Sequence, residues 1–136
     1  MTADVWDVYG DLSAREPASL TERQRRLVAV CDLRQEVNAG GFDHYFRSGA
    51  GSGAPLALDA VSRLLGPAWA ALLTEAVALF GGSYPGDPDA RGDVLDAAGA
   101  DDQLQALDTR FYELERSSDA DAKLNAFIAD YRDLQL

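Results

Sequence analysis

Gly66-Pro67-Ala68-Trp69-Ala70-Ala71-Leu72-Leu73-Thr74-Glu75-Ala76-Val77-Ala78-Leu79-Phe80 is the stretch that sets the fold class. Trp69, Leu72, Leu73, Ala76 and Phe80 stand at i, i+3, i+4, i+7 and i+11, the spacing of one buried face of an α-helix. Pro67 suits the first turn of such a helix, where its missing amide is harmless. Upstream, Leu58, Val61, Leu64 and Leu65 repeat the pattern in a helix that Gly66 ends. Downstream, Gly81 to Gly92 contains four Gly and two Pro and is expected to be loop.

The same reading extends to both ends. Val5, Val8 and Leu12 predict a short helix over 4–15, with Pro17 beyond it. Ser19-Leu20-Thr21-Glu22 has the S-x-x-E capping-box form, so a long helix is expected from there, with Leu27, Val30, Cys31 and Val37 on its inner face. Gly40-Gly41 predicts its stop near Ala39, and Phe42, Tyr45 and Phe46 then share one side of a further helical turn. The run Ser48 to Pro55 is expected to be a flexible loop. After residue 92, a short helix over Asp93–Ala98 precedes one capped by Asp101 or Asp102 and striped by Leu104, Leu107, Phe111 and Leu114. A last helix, capped by Ser118 or Asp119, presents Leu124, Phe127, Ile128 and Tyr131. No segment sustains period-two alternation, so the chain is predicted to be all-α, a single domain over 1–136 with about six or seven helices.

Charge restricts the function. With 23 Asp and Glu against 12 Lys and Arg, the 136 residues carry a net charge of −11. Direct nucleic-acid binding needs a basic footprint and anionic membranes attract basic segments, so neither partner is expected. One cysteine, Cys31, excludes an intramolecular disulfide or a multi-cysteine zinc site. No basic-then-apolar leader or long apolar run is present, and the expected compartment is the cytoplasm.

Few residues suit catalysis or metal binding. The single histidine, His44, would have to serve Cys31 as its base, yet Cys31 lies on a helix's apolar face. Asp87-Pro88-Asp89-Ala90-Arg91-Gly92-Asp93-Val94 imitates the start of a calcium loop, but Arg91 takes the fifth position and Ala98 the twelfth, which needs a bidentate Glu. That stretch is expected to be a solvated acidic loop. Gly49-Ala50-Gly51-Ser52-Gly53 has no following Gly-Lys-Ser/Thr to cradle phosphate. No cofactor and no metal are expected.

Glu36-Val37-Asn38-Ala39-Gly40-Gly41-Phe42-Asp43-His44-Tyr45-Phe46-Arg47-Ser48-Gly49 resembles the E-V-N-N-G-G-F-x-Q-F-F-x-N-S signature of the DNA mimic protein 19-like family, small acidic helical bacterial proteins. Leu107-Asp108-Thr109-Arg110-Phe111-Tyr112-Glu113-Leu114-Glu115 is similar to that family's L-D-x-x-F-Y-x-L-E. The likeness covers about residues 20 to 132, with Ala39, His44 and Ser48 as departures. It implies a cytoplasmic homodimer whose carboxylates imitate DNA phosphates and occupy a basic DNA-binding protein, such as a transcription factor. Among the signature positions, Glu36, Asn38, Gly40, Gly41, Phe42, Phe111 and Tyr112 are expected to be architectural, with Glu36 and Asn38 holding the turn through backbone hydrogen bonds.

Mimicry depends on where the charge lies. Duplex DNA presents one charge per roughly 100 Å², whereas 11 net charges on a surface of roughly 6,900 Å² are several-fold more dilute. Residues 1–86 carry net −3 and residues 87–136 net −8, however. Six acids, Asp87, Asp89, Asp93, Asp96, Asp101 and Asp102, accompany Arg91 alone, and Asp101, Asp108 and Glu115 stand seven apart on one helix. These eight carboxylates are the candidate partner-binding residues. The alternatives are a generic helical interaction domain, an immunity- or antitoxin-type protein that covers a basic toxin, and an enzyme centred on Glu36, Asn38 and His44.

Overall fold

Trp69, Leu72, Leu73, Ala76 and Phe80 are all buried, carried by helix α4 (Pro67–Val77) and the 3-10 turn Ala78–Phe80. The computed structural model describes residues 3–136, which are 81% helical and contain no strand. The other helices are α1 (Val5–Ser13), α2 (Glu22–Arg47), α3 (Ala54–Leu64), α5 (Pro88–Ala98), α6 (Asp101–Ser117) and α7 (Ala120–Ala129). Helix α2 is the axis of the domain and packs against α1, α3, α5 and α6. Its inner face buries Leu27, Val30, Cys31, Leu33 and Val37, then Phe42, Tyr45 and Phe46. Phe42 meets Phe111 edge to face at 5.7 Å, and Phe111 meets Trp69 at 5.2 Å, joining α2, α6 and α4 through one aromatic chain.

Several boundaries differ from those expected, each for a local reason. Helix α2 starts with a reciprocal box between Thr21 and Gln24: the Gln24 N–H donates to Thr21 Oγ1 at 3.1 Å and the Thr21 N–H to Gln24 Oε1 at 2.7 Å. Ser19 instead closes the 3-10 turn Pro17–Ser19. The helix does not stop at Ala39, because Gly41 alone leaves helical space (φ 81°, ψ 177°) and the chain resumes the helix at once. The glycine run is ordered as a 3-10 turn, Gly49–Gly53, that leads into α3. A β-carbon on buried Gly51 would stand 2.5 Å from the Tyr45 carbonyl oxygen and 3.1 Å from the Phe46 Cα, so glycine there permits close packing rather than flexibility.

Helix α5 begins at Pro88, not Asp93, because the Asp87 carboxylate accepts the Ala90 N–H at 3.0 Å and Pro88 takes the first helical position. Neither Asp101 nor Asp102 caps α6; Ala100 is its N-cap and the two acids lie in the first turn, near the positive helix end. Asp119 caps α7, accepting from the Ala122 N–H at 3.1 Å.

Helix α1 is stitched into the domain at both faces. Val5, Val8 and Leu12 are buried, the Val5 N–H donates to Asn125 Oδ1 at 2.7 Å, and the Trp6 indole donates to Asp121 at 3.0 Å. The Tyr9 hydroxyl donates to Asp32 of α2. Burial is the main cause that raises the Asp32 pKa, reinforced by the Glu36 charge and opposed by the Tyr9 bond. A carboxyl raised in the folded state contributes stability that is full below its unfolded value, about 3.9, and is lost as pH rises through the folded value. Asp32→Asn keeps an acceptor for Tyr9 without the charge. It should therefore be more stable than the parent at about pH 7, the gap closing towards about pH 3, as urea denaturation across that range would show.

Candidate functional site

The family-signature residues converge on the kink of α2. Gly41 has a backbone conformation close to glycine-only, and a β-carbon there would collide with the Asp108 carboxylate. That carboxylate accepts the N–H of Phe42 at 2.7 Å, supplying the acceptor that the broken helix withholds. Gly40 is required by His44, whose β-carbon would lie 2.7 Å from an added Cβ. The Tyr112 hydroxyl donates to the Val37 carbonyl at 3.1 Å. Glu36 and Asn38 do not brace the turn through the backbone as expected. Glu36 pairs with the His44 ring at 2.6 Å, and the Asn38 amide donates to Glu115 at 3.0 Å. With the turn already spanned by Asp108, both side chains are free to bind other side chains.

Two of the candidate carboxylates are thus committed inside the domain. Asp108 serves Phe42, and burial raises its pKa more than that bond lowers it. Glu115 is bidentate with Arg34, at 2.8 Å for each bond, and Arg34 also reaches Asp121 at 2.8 Å. Burial disfavours the Arg34 charge, but these carboxylates outweigh it and its pKa is raised; Arg34 in turn holds the Asp121 carboxyl below the usual range. The seven-residue row Asp101, Asp108, Glu115 is therefore not a free acidic face. Asp108 borders the buried stripe of Leu104 and Phe111, and Glu115 retains a side-chain exposure of 16%.

The exposed carboxylates belong to α5 and the start of α6. Asp87, Asp89, Asp93, Asp96, Asp101 and Asp102 are all exposed. Arg91, the one cation in that stretch, points the other way and is 0% exposed. Its guanidinium donates to the carbonyls of Phe46 (2.7 Å), Ser48 (2.8 Å) and Pro85 (2.9 Å). The expected solvated loop is instead a helix with one charged face and an arginine inside. Asp89, Asp93 and Asp96 fall on one side of α5, where Gly92 and Arg47 complete a shallow concavity. They span about 10.5 Å of helix axis, over which one DNA strand presents about three phosphates. Arg47 bridges Asp96 (2.7 Å) and Asp43 (2.8 Å) and holds the Asp96 carboxyl below its usual range. Among the described residues, no cation lies within ion-pair distance of Asp87, Asp89, Asp93, Asp101 or Asp102.

The pairing of Cys31 with His44 is not formed: Cys31 is fully buried, burial pushes its thiol up to about 12, and His44 bonds Glu36. Among the described residues no three metal-ligating side chains of His, Cys, Asp or Glu come together. Sequence reasoning missed Arg91 and the Arg47 bridge. The Asp87-Pro88 cap-and-first-turn pair was the available signal for Arg91, since it starts a helix that places Arg91 one turn before buried Leu95.

Residues 18–131 match the family described as DMP19-like protein. No curated protein and no solved structure matches the chain. No helix among the described residues is long and apolar enough to cross a membrane.

Proposed function

Since this chain belongs to the DMP19-like protein family, we propose that it is an acidic protein-binding module whose α5–α6 face occupies the basic surface of a DNA-binding protein, such as a transcription factor. The observation that carries this reading is the sidedness of residues 87–102: six carboxylates outward and their one arginine inward. The total accessible surface is 7008 Å², so the net charge is dilute on average, and this segment is where its density approaches that of a phosphate strand. The role assigns no chemistry to Glu36, Asn38 and His44, whose side chains are engaged with one another (Glu36–His44) and with Glu115 (Asn38). Two copies, as in the homodimer that the family likeness implies, would present two such faces.

Binding of this kind is steered by charge and screened by salt over about 8–10 Å. A partner captured by the purified protein should be released by rising salt and by competing duplex DNA. Neutralising Asp89, Asp93, Asp101 and Asp102 together to Asn should weaken its affinity by about tenfold or more, with the fold intact by circular dichroism. Salt-insensitive binding, or unchanged affinity in the fourfold variant, would sink the reading. A generic interaction domain predicts both of those results.

A further inference from the structure

Along α2, between the end of α1 and the start of α3, runs a groove of about 520 Å³ that shares no residue with the α5–α6 face. Its floor is the α2 stripe Val28, Ala29 and Asp32; Leu12 and Leu20 wall it on one side and Leu56 on the other. Val28 and Leu56 are only partly covered, so apolar surface faces the opening. Two arginines stand at its edge and both are engaged. Arg15 pairs with Asp11, while Arg25 donates to the Pro17 carbonyl at 3.3 Å and lies 3.6 Å from Glu22. Asp32 is the opposite case. Among the described residues no cation comes within ion-pair distance of it, and its side chain has one polar partner, the Tyr9 hydroxyl on Oδ1. Its Oδ2 is unpartnered, and its residue lines the groove. The groove therefore holds one uncompensated charge, a partly buried carboxylate that Tyr9 fixes in place. An asparagine would accept from Tyr9 as well and would spare the fold the burial of a charge, so the Tyr9 bond alone does not account for an acid here.

We propose that this groove binds a small primary amine with an apolar body, an alkyl- or arylalkylammonium ion. Its ammonium donates to Asp32 Oδ2, and its hydrocarbon lies on Val28, Ala29 and Leu56. The charge count selects this class. A carboxylate ligand would meet Asp32 and find Arg15 and Arg25 already engaged. A neutral hydrocarbon would strip water from the free carboxylate oxygen without replacing its hydrogen bond. An ammonium ion supplies that bond and cancels the charge. The volume lies within the usual range of small-molecule sites, and an apolar lining with one oriented polar group is their common composition.

The test is calorimetric titration of the full chain with n-hexylamine, 1-hexanol and hexanoate, and with 2-phenylethylamine and its N-acetyl derivative, the site being located by amide NMR shifts. At least one amine should bind saturably, shift the amides of Val28, Asp32 and Leu56, and bind about tenfold more tightly than its neutral or anionic counterpart. Asp32→Asn, expected to be at least as stable as the parent at neutral pH, should weaken the amine by about tenfold. Val28→Trp, which fills the groove and leaves the carboxylate, should weaken it as well, with the fold intact by circular dichroism. Equal binding of amine and alcohol, tighter binding of hexanoate, undiminished affinity in Asp32→Asn, or no saturable binding at millimolar concentration would each overturn the proposal.

Discussion

Replacing Arg91 with methionine should cost about 3 kcal/mol or more of folding stability, read as a shift in the urea midpoint. The side chain is fully buried and has no carboxylate partner; its charge is met by three carbonyl oxygens and by the face of Tyr84, 5.4 Å away. Phe46 lies in the last turn of α2 and Ser48 just beyond it, where carbonyls lack intrahelical donors and the helix end is partially negative. Arg91 therefore closes a helix from a distance and ties Pro85 of the glycine-rich connection to it. Methionine keeps the volume without the donors. Arg91→Lys should recover part of the loss, because an ammonium group carries charge but cannot match the planar fork. Equal stability of parent and Met variant would mean that the carbonyls find other donors.

The second large effect is expected at Gly41. Gly41→Ala forces a side chain into a conformation nearly exclusive to glycine and drives its methyl into Asp108. The backbone strain and the displaced bond to the Phe42 N–H together amount to about 3–5 kcal/mol. Asp108→Ala alone should cost less. The double variant should cost less than the two single losses added, since removal of the carboxylate also removes the collision; strict additivity would show that the two positions are not coupled.

How far the fold was legible follows from which forces write themselves into the sequence. The buried face of α4 was legible because its period is set by the helix itself, and the break at Gly40-Gly41 because glycine tolerates positive φ. That the helix would resume was not, since the acceptor for Phe42 comes from Asp108, 66 positions away. Gly49–Gly53 misled because composition cannot separate glycine chosen for mobility from glycine chosen for tight contact. The acidic candidates divided on the same principle. Asp89 and Asp93 stayed at the surface, whereas Asp108 and Glu115 were seven apart but flanked the Leu104–Phe111 stripe, and that flanking placed them at the border of the core. Arg91 was hidden because its partners are carbonyls, which leave no residue-type signature.

Because residues 41–47 owe their shape to Asp108 and Arg91, they cannot settle as a simple continuation of the helix before them. Gly41 interrupts propagation, so the turn after it must nucleate afresh, and isolated turns do not persist in water. The aromatic end of α2, tied to α6 by Asp108 and to α5 by Arg91, is therefore expected to open together with them, its amides exchanging with those of α5 and α6 rather than with those of residues 22–40.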